Sequence, residues 1–146
     1  MGRPPVTRAV HAVALVATLA AVAGACKGPP DVPRRASTAW TELAHWTGTG
    51  LVQTESFISD TGQLRIRWET KNERTAGAGR FKIVLHSAVS GRPLIEVVER
   101  KGVARETSYV NEDPRAFFLV IDSSNLDWTV AVDEGIPVTV PDPPKR

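Results

Sequence analysis

Alternation of apolar and polar residues runs through much of the chain and predicts β-strands. Segment 63–69 places Leu64, Ile66 and Trp68 on one face and arginine or glutamate on the other. A period of two is typical of a strand with one buried face. The same alternation recurs in three later segments, 80–86, 94–100 and 128–132. Trp68 and Trp128 are in phase with aliphatic neighbours, so we expect both tryptophans in the core.

Turn-forming residues separate these runs. They cluster at 60–62, 75–79, 90–91, 101–102 and 122–125. Lys101-Gly102 predicts a tight hairpin, because glycine readily adopts the positive φ of a two-residue turn. We therefore predict an all-β fold: after a signal helix, an antiparallel β-sandwich of about seven or eight short strands, of jelly-roll or immunoglobulin-like type. A small closed β-barrel is the alternative. The domain generally resembles small secreted β-sandwich modules, including CUB-like ones, and this resemblance concerns the fold alone.

Segment 115–121 is apolar on both faces, unlike the other predicted strands. Phe118 and Val120 occupy its second face, whereas Val84 and Val98 lie out of phase with their own strands. If these strands are neighbours, the four residues form an apolar patch outside the sandwich, and such patches usually mark a contact. The alternative is that this strand is central and that the tether or tail covers the patch.

The first 25 residues have the layout of an export signal. Arg3 and Arg8 are followed by residues 9–25, which carry no formal charge and are mainly Ala, Val and Leu. A positively charged start and a short apolar run are typical of a secretory signal peptide. The apolar run ends in small residues directly before Cys26, the only cysteine.

This junction resembles the lipobox of bacterial lipoproteins. Gly24 and Ala25 match the small residues before the essential cysteine, while Ala23 stands where leucine is usual. The resemblance implies cleavage before Cys26, a diacylglycerol on its sulfur and usually an acyl chain on its new amino group. Several acyl chains anchor a protein stably, whereas one does so only marginally. Lys27, where aspartate often signals inner-membrane retention, implies the outer membrane, facing the periplasm or the cell surface. An uncleaved membrane anchor and an ordinary signal that leaves a free thiol are the alternatives.

Proline-rich segments flank the predicted sandwich. We expect a signal peptide at 1–25, the lipidated cysteine and an extended tether at 26–39, the sandwich at 40–136 and a disordered tail at 137–146. Residues 40–136 carry 11 Lys/Arg against 14 Asp/Glu, a balance of −3. A faintly acidic body argues against binding to nucleic acid, which requires clustered cations.

Residues suited to catalysis or metal binding are sparse. His45 and His86 are the only histidines after the leader, and we interpret His86 as a solvent-facing strand residue. No Gly-x-Ser-x-Gly motif is present, and we expect no cofactor and no metal site. The loop 122–127 offers three oxygen ligands for a possible calcium site, but its composition is also typical of turns, and calcium needs six to eight ligands.

Trp40 and Trp46 are open to two interpretations: core closure, which we favour, or an exposed platform for carbohydrate. The function we expect is a non-catalytic, lipid-anchored interaction module of the cell envelope, which binds a protein, a glycan or another envelope component. A small hydrolase that uses carboxylates, or a structural subunit of an envelope complex, is the alternative.

Overall fold

The structure is a computed structural model that describes Gly2 and residues 34–143. Apart from Gly2, the predicted signal peptide, Cys26 and the tether up to residue 33 lie outside the described residues, as do residues 144–146. The nine described strands are β1 (Arg34–Thr49), β2 (Val52–Gln53), β3 (Phe57–Ser59), β4 (Gln63–Lys71), β5 (Arg80–Ser87), β6 (Pro93–Lys101), β7 (Arg105–Asn111), β8 (Arg115–Ser124) and β9 (Asp127–Pro141).

The strands form two antiparallel sheets. The four-stranded sheet has the order β1-β9-β4-β7, and the five-stranded sheet has the order β2-β8-β5-β6, with β3 also pairing with β8. If β2 and β3 are counted as one interrupted strand, the described residues form eight strands in jelly-roll order, in which the chain changes sheet at every connection except that between β5 and β6. The described chain is therefore a β-sandwich, as predicted. Its two separate sheets show that the alternative, a small closed β-barrel, is wrong.

The core lies between the inner faces of the two sheets, where the alternating pattern placed it. Its largest side chains, Trp68, Trp128, Phe81 and Phe117, are almost fully buried. Trp68 and Phe81 meet across the sandwich with ring centroids 5.2 Å apart. Each such side chain contributes roughly 1.5–3 kcal/mol by its burial.

The predicted hairpin at Lys101-Gly102 is wrong. Gly102 has a φ of 74° and does make a tight turn, but this turn carries the chain from one sheet to the other. β6 pairs with β5, whereas β7 pairs with β4. Positive φ at a glycine specifies a sharp reversal, and it does not specify which strands pair.

The predicted boundaries of the tether and the tail also differ from the structure. Residues 34–39 and 137–141 are paired strand segments, with Arg34 opposite Pro141 in the β1–β9 ladder. Beyond Glu134, β9 has β1 as its partner but no longer pairs with β4. A strand with one open edge accommodates proline, because proline has no N–H group and no interstrand hydrogen bond is lost where that group would face the open edge.

Candidate functional site

The outer face of the four-stranded sheet carries an aromatic cluster that spans several strands. Trp40 lies on β1, Arg65 on β4 and Tyr109 on β7. The Arg65 guanidinium lies 4.7 Å from the centre of the Trp40 ring, and the Trp40 and Tyr109 ring centroids are 5.7 Å apart. We call these three residues the platform. Tyr109 remains 66% exposed although it contacts another ring, so the platform presents aromatic surface to solvent.

Glycine at position 135 allows Trp40 to lie across the sheet. Gly135 is the β9 residue directly opposite Trp40, and it is buried. A Cβ at this position would come within 3.1 Å of the Trp40 ring and 3.0 Å of a Thr38 methyl group. The absence of a side chain on β9 therefore leaves room for the ring of its neighbour.

A network of arginines and carboxylates lies beside the platform. Asp133 of β9 accepts hydrogen bonds from Arg65 Nε at 2.8 Å and from Arg67 Nε at 2.7 Å. Arg67 Nη2 also donates to the second Asp133 oxygen and to Glu42 of β1. Glu42 in turn contacts His45 at 3.2 Å. We call Arg65, Arg67, Asp133 and Glu42 the ion-pair network.

Asp133 is the buried centre of this network, since its side chain is only 3% exposed. Burial by itself raises the pKa of this carboxyl, but hydrogen bonds and charge from Arg67 and Arg65 outweigh burial and leave the pKa below its ordinary value. The carboxylate therefore stays ionised and fixes both guanidinium groups. It acts as a rigid support for Arg65, which contacts Trp40.

A shallow groove of about 390 Å³ continues from the ion-pair network along the same face. Its outer-face lining consists of Arg67, Glu69, Arg105, Thr107, Thr129 and Ala131. Arg105 Nη2 donates to Glu69 Oε2 at 2.7 Å. Small residues of β9 form the floor, and a paired arginine and glutamate stand beside it. The groove therefore offers both polar and apolar surface, and its arginines and glutamates are balanced in charge.

The predicted apolar patch lies on the outer face of the other sheet, but with one member removed. Val84 and Val120 are directly paired on β5 and β8, and both are half-buried. Phe118 stacks on His86 with centroids 4.9 Å apart. Val98 is instead a core residue, 9% exposed and opposite Ile83.

A bulge in β6 explains the misplaced valine. The register shifts between Ile83 and Val84, so that Ile83 faces Val98 whereas Val84 faces Glu96. One extra residue in a strand reverses the face of every residue beyond it. The alternation in 94–100 gave no sign of this insertion.

Trp40 and Trp46 have different environments. Trp46 packs against the edge of the core, 6.0 Å from Phe57, and its indole Nε1 donates to Glu55 at 2.7 Å. Core closure thus describes Trp46, whereas Trp40 belongs to the platform. Tyr109 and Arg65 could not be recognised from the sequence as site residues, because nothing local to either residue indicates that β1, β4 and β7 lie in one sheet.

The carboxylate of Glu134 is also buried, but it holds a turn. It accepts hydrogen bonds from Ser59 Oγ at 2.7 Å and from the Thr61 amide at 2.8 Å. Burial raises the pKa of Glu134, and the hydrogen bonds from Ser59 and Thr61 outweigh it, so the pKa lies below its usual value. This residue fixes the β3–β4 connection.

The side chains of the 122–127 loop stabilise the turn. Ser123 Oγ accepts from the Gly50 amide and contacts the Leu126 carbonyl, while Asp127 accepts from Asn72 and Arg74. Within residues 34–143 no group of three or more His, Cys, Asp or Glu side chains is arranged to hold a metal ion. The same part of the chain contains no helix of sufficient length and apolar character to cross a membrane.

The fold and its faces define a jelly-roll β-sandwich with a polar, aromatic outer face. Models of known families, curated proteins and solved structures yield no match to this chain. Its function must therefore be argued from the residues themselves.

Proposed function

We propose that this chain is a bacterial envelope lipoprotein, attached through Cys26 to the outer membrane, whose β-sandwich binds an envelope component without modifying it. The proposed location rests on the N-terminal segment, which has a basic start, an uncharged apolar run and small residues directly before the only cysteine. Acyl chains on Cys26 would confine the sandwich to a membrane surface. The binding role rests on the outer face of the four-stranded sheet.

The ion-pair network, together with the neighbouring Arg105–Glu69 pair, is the observation that carries the binding role. Three arginines and three carboxylates on this face are matched in pairs: Arg65 and Arg67 with Asp133 and Glu42, and Arg105 with Glu69. The Arg65 and Arg67 guanidinium groups, which the buried Asp133 holds beside the exposed Tyr109 ring, form a preorganised recognition surface, because they need little further ordering when a ligand binds.

The buried carboxylate on this face, Asp133, has properties that suit binding better than hydrolysis. A carboxylate-based glycoside hydrolase needs one carboxylic acid whose pKa is raised, so that it can donate a proton. Asp133 has a lowered pKa, because its arginine partners outweigh burial. It is therefore suited to hold arginine side chains and poorly suited to donate a proton.

The attachment is tested by metabolic labelling. Cells that express the full-length protein are fed radiolabelled palmitate, and the wild-type protein is compared with Cys26→Ala. We expect label and outer-membrane fractionation in the wild type and neither in the variant. Label that survives the substitution would contradict lipidation at Cys26.

The binding role is tested with isolated envelope fragments. Full-length protein in detergent is sedimented with the fragments, and Arg105→Glu in the groove is compared with Arg92→Glu, an exposed arginine in the β5–β6 turn. We expect saturable binding that only Arg105→Glu weakens, and no release of soluble polymer fragments. Equal effects of the two charge reversals would contradict a binding site on this face, and polymer release would show that the protein is an enzyme.

A further inference from the structure

The platform and the groove lie on one continuous strip of the four-stranded sheet. Arg65, Arg67 and Glu69 point outward from successive alternate positions of β4, so the strip extends about 13 Å along the strand. Tyr109 and Arg105 flank it on β7, directly opposite Arg65 and Glu69. The strip thus has aromatic rings at one end and paired polar groups at the other.

The strip has no net formal charge, because its three arginines are balanced by three carboxylates. A strongly charged ligand would gain little long-range attraction here and would have to compete with the existing ion pairs. An uncharged ligand with many hydroxyl groups is favoured instead, since a guanidinium group donates and a carboxylate accepts at fixed positions.

The platform adds a second requirement, which is a flat apolar surface on the ligand. Tyr109 is 66% exposed. The Trp40 ring contacts the Arg65 guanidinium and occupies the space that Gly135 leaves free. Sugar rings combine a face of C–H groups with a rim of hydroxyls, so they fit both the aromatic and the polar part. Protein partners more commonly bury a compact apolar centre, which this strip lacks.

We infer that the strip binds an uncharged polysaccharide chain, with one sugar ring stacked on Tyr109 and contacting Trp40, whose ring is inclined at 60° to that of Tyr109, and the following rings in the groove between Arg67 and Arg105. This inference rests on the proposed binding function and specifies its ligand class. Non-covalent binding alone is required, and no bond of the glycan is broken. The length of the strip fits a short run of sugar rings.

The test is calorimetric titration of the full-length protein in detergent with named oligosaccharides. The uncharged probes are cellohexaose, laminarihexaose, maltohexaose and chitohexaose, and the charged probes are polygalacturonate and heparin. We expect at least one uncharged probe to bind and the charged probes to bind more weakly. Tyr109→Ala should weaken that binding about tenfold, equivalent to about 1.4 kcal/mol.

Phe118→Ala is the matched control, because Phe118 is an aromatic residue on the outer face of the opposite sheet. It should leave glycan affinity unchanged. Tyr109→Phe, which keeps the ring, should retain most of the affinity, and melting temperatures establish that each variant is folded. Trp40→Ala should behave like Tyr109→Ala.

The outcomes separate this inference from the proposed function. If no oligosaccharide binds while Arg105→Glu still weakens binding to envelope fragments, the glycan inference is overturned and the binding function stands. Preference for the charged probes, or glycan binding unaffected by Tyr109→Ala and Trp40→Ala, also overturns it. If neither oligosaccharides nor envelope fragments bind, the proposed function fails as well.

Discussion

Replacement of Asp133 by alanine should destabilise the sandwich more than its position on an outer face suggests. The side chain is 3% exposed and accepts three hydrogen bonds, one from Arg65 and two from Arg67. Asp133→Ala removes every acceptor of this set and leaves two guanidinium groups close together without the anion between them.

The magnitude follows from exposure and hydrogen bonding. A hydrogen bond to a charged group contributes about 1.5–3 kcal/mol net. The three bonds do not add fully, because the arginine side chains are 26% and 45% exposed and can bind water instead. We therefore expect a loss of about 2–4 kcal/mol, somewhat below the roughly 3–5 kcal/mol of a fully buried pair that loses one partner. Asp133→Asn should cost less, since the amide oxygen keeps part of the acceptor capacity.

The measurement is urea denaturation of the full-length protein in detergent, followed by tryptophan fluorescence. Glu42→Ala is the matched control: it removes the exposed carboxylate bonded to Arg67, and it should cost less than about 1 kcal/mol. Equal destabilisation by Asp133→Ala and Glu42→Ala would refute the assignment of Asp133 as the buried centre of the network.

Three further outcomes test the fold. The contribution of Glu134 to stability should be constant at neutral pH and fall in acid, because the pKa of this carboxyl is lower in the folded than in the unfolded protein. The contribution is complete above the pKa of the unfolded chain, about 4.3, and it is lost as the pH falls through the lower pKa of the folded protein. Glu134→Gln should weaken this acid dependence in melting curves measured across pH, and an unchanged dependence would contradict it. Gly62→Ala should prevent stable folding because its Cβ would overlap a backbone carbonyl, whereas Gly50→Ala, with similar positive φ and open space, should cost only about 1–2 kcal/mol of unfolding free energy. Phe118→Ala should cost about 1–2 kcal/mol, and Phe117→Ala, a fully buried neighbour, about 3–5 kcal/mol; equal losses in chemical denaturation would place Phe118 in the core.

Sequence pattern predicted the faces of most strands correctly, because burial imposes a period of two on each one independently. Trp68, Phe81, Phe117 and Trp128 lie inside as their phase indicated. The pattern failed at Val98, where a bulge changes the phase. A bulge depends on the partner strand, so a single strand does not reveal it.

Long-range pairing was the other property that local sequence did not contain. Residues 34–39 form a strand because residues 136–141 pair with them, although most of the sequence lies between the two segments. The platform depends on the same information. Trp40, Arg65 and Tyr109 meet only because β9 and β4 lie between β1 and β7 in one sheet, and the order of strands follows from tertiary packing.

The β1–β9 ladder has a mechanical consequence. A load that enters at Arg34 and is resisted by a molecule held at Tyr109 on β7 must cross the β1–β9 ladder, and it acts parallel to β1 and perpendicular to its interstrand bonds. The paired segment from Arg34 to Trp40 is then loaded in shear. Its interstrand hydrogen bonds bear the force together and do not break one after another.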